Sequence, residues 1–413
     1  MIAQIAFLAI LGFFGFLIFR RVLRIKNNIH LGKPQPINDQ HAKRWKTMLL
    51  VAFGQKKMFK RMLPAFFHLL IYVGFILINI EVLEIILDGV FGTHRIFAPV
   101  LGGFYGFLIS FFEVLAVLVI LACLVFLVRR NVLKIDRFQK IEMKGWPTLD
   151  ANLILVIETV LMVAILSMNA ADSLLQERGV ASYTEAGAFL VSDLMAPMFV
   201  GLSDSALIVL ERVAWWFHIV GIFAFALYVT YSKHLHIFLA FPNTYYSRLT
   251  PKGKMNNMQE ITNEVKIMLG MSTGEDAAAP PDGLKFGAKD INDLSWKNLM
   301  EAYSCTECGR CTSECPANMT GKKLSPRKIM MDTRDRMEDV GLSLQKGGKG
   351  LEDGKSLLDD YITREELNAC TNCNACVEAC PVNINPLDII LQMRRYVAME
   401  ESAAPQSWNM MFQ

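Results

Sequence analysis

The stretch Cys305-Thr-Glu-Cys308-Gly-Arg-Cys311-Thr-Ser-Glu-Cys315-Pro316 decides how this chain is read, and Cys370-Thr-Asn-Cys373-Asn-Ala-Cys376-Val-Glu-Ala-Cys380-Pro381 repeats it. Both read C-x2-C-x2-C-x3-C-P, and together they hold all but one of the 9 cysteines. Two-residue gaps let three sulfurs close on one cubane, while the longer gap and the proline turn the fourth toward a neighbouring one. The spacing predicts two [4Fe–4S] clusters with crossed ligation. Cys305, Cys308, Cys311 and Cys380 are expected on the first, and Cys370, Cys373, Cys376 and Cys315 on the second. Zinc sites more often show paired C-x2-C, and a disulfide framework suits an oxidising compartment.

Outward from these runs the chain turns apolar. Of 413 residues 53% are hydrophobic and 20% charged, too apolar for a soluble protein of this length. A net charge of +3 gives no global basic field, so no nucleic acid partner is expected. Five apolar runs are expected to span a bilayer: Ile2–Phe19, Met62–Asp88, Val100–Val128, Leu153–Met168 and Ala206–Tyr231. Each is near the ~20 residues that a hydrocarbon core needs. The remaining cysteine, Cys123, sits in the third and reads as a small hydrophobe. Lys and Arg crowd the loops between spans one and two and between spans three and four, whereas the other two loops hold Arg95 and Arg178 alone. The positive-inside rule then puts the N-terminus outside and the cysteine region in the cytoplasm. Topology alone explains these basic loops.

Ionisable side chains inside spans are costly and mark candidate functional positions. His68 lies just inside span two, His218 inside span five and His236 at its inner end. On one helix the last two would share a face, about five turns and about 27 Å apart. Imidazole is a usual haem ligand. Glu113 in span three and Glu158 in span four are candidates for proton transfer with a quinone. Glu81, Glu84 and Asp88 read as hydrogen-bonded within the bundle or as reaching its outer interface.

Phe67-His68, Trp216-Phe217-His218 and Ser232-Lys233-His234-Leu235-His236-Ile237 resemble the five-span gamma subunit of respiratory nitrate reductase and the cytochrome b subunit of heterodisulfide reductase. The resemblance implies a haem b held by His68 and His236 toward the cytoplasm. Where that family has a second span-two histidine, Ile78 stands here, so His218 lacks its expected partner. His94, beyond the outer end of span two, is the outer-side histidine left to pair with it. Otherwise His218 is structural or binds quinone, and one haem is present rather than two. His234 reads as serving the inner surface or a haem propionate.

The cysteine half has its own resemblance. Cys311-Thr-Ser-Glu-Cys315-Pro316-Ala317, Gly321-Lys322-Lys323-Leu324-Ser325-Pro326-Arg327 and Arg394-Arg395-Tyr396 resemble the iron–sulfur subunits of heterodisulfide reductase, glycerol-3-phosphate dehydrogenase and lactate-utilisation oxidoreductases. In fused relatives a CCG domain follows this point. The resemblance implies that a separate CCG-domain redox subunit, or another soluble dehydrogenase or reductase, is the partner.

Local signals make this half helical rather than β. Ser325-Pro326 opens a helix that Gly341 is expected to stop, Thr363 and Glu366 form a capping box, and Asn385-Pro386 opens a last helix. Met255–Met271 has helical spacing, and Ser272–Gly283 reads as a flexible connector. The expected molecule is all-α: a five-helix transmembrane bundle (1–240), an exit segment and connector (241–283), a cytoplasmic helical ferredoxin domain with two [4Fe–4S] clusters (284–400) and a tail (401–413). It sits in a bacterial-type cytoplasmic membrane. Its expected role is that of an electron-transfer subunit linking quinone, haem b, two clusters and a soluble partner. The alternative is a non-catalytic anchor or a redox sensor; a sensor needs one labile cluster, and two favour through-flow.

Overall fold

A computed structural model describes residues 1–183, 185–255, 257–271, 285–403 and 405. The expected connector and most of the expected tail lie outside the described residues. In chain order the helices are α1 (Ile2–Ile29), α2 (His41–Met48), α3 (Met62–Phe91), α4 (Ala98–Leu101), α5 (Gly103–Leu127), α6 (Trp146–Glu177), α7 (Ser192–Met195), α8 (Asp204–Val229) and α9 (His236–Tyr245). They continue with α10 (Gln259–Met268), α11 (Trp296–Tyr303), α12 (Arg310–Ser313), α13 (Pro316–Met319), α14 (Pro326–Gln345), α15 (Arg364–Ala369), α16 (Ala375–Ala379) and α17 (Pro386–Met399). Among the described residues there is no strand beyond isolated bridges.

The chain divides into two compact units. One is Met1–Leu23 with Met58–Leu235, the other Arg24–Lys57 with His236–Gln413. Among the described residues five helices are long and apolar enough to cross a membrane: α3, α5 with the turn after it, α6 and α8 in the first unit, and α1, whose residues as far as Leu23 belong to it. Within it α6 packs against α5 and α8, and α3 against α5.

These helices run past the apolar windows. α1 continues beyond Phe19 to Ile29 because arginine is a good helix former and its charge finds partners. Arg21 donates to the Thr230 carbonyl at 3.2 Å and lies 4.3 Å from the Tyr231 ring centre. α6 is 32 residues long, far beyond Leu153–Met168, because its polar ends are buried and bonded. Asp150 accepts from Tyr228 and from the Lys233 amide, and Asn169 and Asp172 accept from Arg95 at 2.8 and 2.5 Å. Hydropathy averaging reads such residues as loop.

The fifth span departs most from expectation. α8 ends at Val229, a turn through Lys233–Leu235 follows, and His236 opens a new helix, α9, in the other unit. His218 and His236 do not share a helix, so the argument from a common face falls away.

In the second unit the N-caps appear where the sequence places them. Ser325 accepts from the Lys328 amide, and Thr363 and Glu366 form a reciprocal capping box. Gly341 does not stop α14, which runs on to Gln345. It is glycine because the side chain of Asn28 occupies the space a Cβ would fill. Asn28 in turn donates to Tyr303 at 2.8 Å, and Tyr303 to Glu338 at 2.6 Å. Fully buried Arg336 joins Asp290 at 2.7 Å to Asp353 at 2.6 Å, so its charge is paired on both sides.

Candidate iron–sulfur site

Both cysteine runs are introduced by a capped helix. Ser295 and Asn298 box the start of α11, which delivers Cys305, and Thr363 and Glu366 box α15, which delivers Cys370. The runs then fold alike. Glu307 (φ 54) and Gly309 (φ 70) are left-handed in the first, and Asn372 (φ 57) and Asn374 (φ 60) are left-handed at the matching places in the second. Glycine and asparagine tolerate that conformation best. The turn aims an amide at sulfur, Asn372 N–H donating to Cys370 Sγ at 3.4 Å, and past the end of the run Ile384 N–H donates to Cys380 Sγ at 3.3 Å. Such bonds favour the thiolate form.

The two runs do not each enclose their own sulfurs. A small, partly open cavity is lined by Cys305, Cys308, Cys311 and Cys380, with Arg327 and Met330 in its wall. Cys315 sits instead near Cys370 and Cys376, close enough for its charge to act on both thiols. None of the nine cysteines is in a disulfide. Among the described residues no three His, Cys, Asp or Glu side chains converge on a single-ion position. A wall of thiols around a cavity suits a multi-iron cluster.

Burial makes bare thiolates costly here. It pushes Cys305 and Cys376 up to about 12 and Cys380 up to about 11, and raises Cys370. Iron would supply the positive charge that lets all four ligands of a set ionise. The protein adds cations of its own. Arg334 pairs with Glu307 at 2.7 Å beside Cys305, and Arg394 donates to the Cys370 carbonyl at 2.6 Å. Lys57 reaches Asn383 Oδ1 at 3.0 Å and the Val377 carbonyl at 3.4 Å, on either side of Cys380. Buried Lys297 donates to Glu301 at 2.8 Å and Asn243 at 2.6 Å; burial lowers the lysine and raises the glutamate from their usual ranges.

Sequence reading missed Lys57, Asn243, Lys297 and Glu301. Lys57 was visible only as one of many loop cations, and the other three carry no motif.

His68 lies half-buried in α3. His218 has no exposure; its Nδ1 is 2.9 Å from the Leu161 carbonyl, and its Nε2 is buried with no hydrogen-bond partner among the described residues. His94 lies 3.5 Å from Asp172, edge-on to Tyr183. Glu158 is 3.9 Å from His234. Glu113 accepts from the Val191 and Ser192 amides at 2.8 and 3.2 Å, from the Ser192 hydroxyl and from Asn169 at 3.2 Å, so it pins the loop around α7. Glu84 accepts from Tyr105 at 2.7 Å, and Asp88 from the Arg95 amide at 2.8 Å.

Geometry and sequence comparison meet at this point. Residues 304–384 match the family model of the 4Fe-4S dicluster domain, which supports iron–sulfur clusters in the cysteine region. Over its length the chain is 28% identical to the probable iron-sulfur-binding oxidoreductase FadF of Bacillus subtilis, covering 94% of this chain and 54% of that one. It is also 28% identical to the EtfAB:quinone oxidoreductase of Syntrophomonas wolfei, covering 91% and 52%. The cluster region is 32% identical to one of the subunits of the ferredoxin/F(420)H(2)-dependent CoB-CoM heterodisulfide reductase of Methanosarcina acetivorans, over 26% of this chain and 53% of the relative. The matches span about half the length of each of these curated relatives. No solved structure matches the chain. Iron–sulfur electron transfer is the role these similarities support.

Proposed function

We propose that this chain carries electrons between quinone or quinol, haem b and two [4Fe–4S] clusters, and exchanges them with a separate soluble redox subunit. The observation that carries the reading is the cavity shared by Cys305, Cys308, Cys311 and Cys380, with Cys315 placed among the cysteines of the other run. It supports crossed ligation of two clusters close enough to exchange electrons.

The quinone rests on the name of the Syntrophomonas relative. Haem b rests on the resemblance of the span histidines and on His218. A ring held at Nδ1 by a carbonyl leaves Nε2 as a buried, available ligand atom, the arrangement expected of an axial histidine. His68 with His236, and His94 opposite His218, are the further ligands proposed. Glu158, beside His234, is the better proton-transfer candidate, since four donors already engage Glu113.

The cysteine region is proposed to face the cytoplasm. The basic segment Arg24–Lys57 belongs to the same compact unit as the cysteines, and positive loops stay inside. The partner is proposed as a CCG-domain subunit or another soluble dehydrogenase or reductase.

A quinol titration of the full chain in nanodiscs tests the reading. Quinol is expected to reduce the clusters and shift the haem Soret band. Clusters reducible by dithionite but by no quinol would instead support an anchor or sensor.

A further inference from the structure

The first basic loop carries an apolar face that stays about half exposed, with the edge of Trp45 against Tyr245 of α9, ring centres 5.2 Å apart. α2 and the turn after it, Leu49–Phe53, place Trp45, Leu49 and Phe53 four residues apart along one side. They are 54%, 52% and 57% exposed. α2 packs on α9, where Phe238 is 61% exposed. The other side of this helix pair is polar and closed. Buried Arg44 donates to the Tyr245 and Ser247 carbonyls at 3.2 and 3.0 Å, and buried Asn243 donates to the Val382 carbonyl at 2.7 Å, just past Cys380. The pair thus has an apolar outer face and an inner face bonded to a cysteine loop.

The fringe and the tethers argue for what covers that face. Lys43, Lys46 and Lys56 are exposed around it, and no acidic residue occurs between Asp39 and Glu81. Tryptophan, phenylalanine and leucine with a lysine border suit the headgroup boundary of an anionic bilayer. Both ends of the loop enter membrane-length helices, α1 before it and α3 after it, so the segment is held within reach of that surface.

We propose that residues 41–53, with Phe238, form an in-plane platform that rests on anionic lipid and holds the Cys380 loop beside the bilayer. This rests on the membrane reading above.

The test uses the full chain in phosphatidylcholine–phosphatidylglycerol nanodiscs brominated either near the headgroup or deep in the acyl chains. The Trp45 contribution is the fluorescence difference between the native chain and Trp45→Phe. It is expected to lose more intensity to shallow than to deep bromines, and less in phosphatidylcholine alone. A Trp45 signal untouched by either lipid, or quenched more by the deep one, overturns the proposal and leaves a protein partner or a second copy as the cover. If Trp45→Phe does not fold, Phe53→Trp should gain a component quenched by shallow bromines; no gain overturns the proposal equally. The native chain separates this failure from that of the membrane reading. Trp215 and Trp216 of α8 are quenched by deep bromines if the spans cross the bilayer, whatever Trp45 does.

Discussion

The two cysteine sites share one motif and one backbone path but not one environment. In the first set Cys305 and Cys380 are buried and Arg327, fully buried, stands in the cavity wall. In the second, Cys315 and Cys376 are buried too but Cys373 is exposed, and Arg394 meets the run at the Cys370 carbonyl and the Asn372 side chain. Spacing proposes which atoms bind iron, whereas segments far off in sequence set how wet and how positive each site is. Lys57 reaches the Cys380 turn from the loop after α1, some three hundred residues earlier in the chain.

The comparison breaks most sharply at the fourth cysteines. Cys380→Ser should remove the cluster of the 305–311 triplet, and Cys315→Ser that of the 370–376 triplet. Electron paramagnetic resonance of each reduced variant checks this, and loss of the cluster on the same run would reverse the assignment. The next effect sharpens the contrast in charge. Arg327→Met should lower the midpoint potential of the first cluster and leave the second nearly unchanged, because a nearby cation favours the more negative reduced state. Arg394→Met should do the converse, and a redox titration followed by the same spectroscopy separates the two. The smallest effect tests the likeness of the sites. Ser295→Ala and Thr363→Ala each remove an N-cap ahead of a cysteine run and should each cost about 1 kcal/mol of stability in denaturant unfolding. A much larger loss at one would show that the runs are not supported alike.

How much of this was legible beforehand follows the range of the forces involved. The capping box at Thr363, the N-cap at Ser325 and long apolar helices rest on spacing or on short windows, and the sequence displays them. Gly341 misled because a glycine that admits Asn28 looks the same as one that ends a helix. α6 was read too short because Asp150, Asn169 and Asp172 are polar yet buried, each held by a partner distant in sequence. The break between α8 and α9 has no proline or glycine to announce it. The platform at Trp45 was hidden among lysines that topology alone explained.

The account stands or falls on two cubanes in one electron path. Low-temperature electron paramagnetic resonance of the reduced full chain, with spins counted per chain, tests this most directly. The prediction is roughly two spins of [4Fe–4S] type, broadened by mutual interaction. One isolated spin, or none in a protein whose iron is retained, would contradict it.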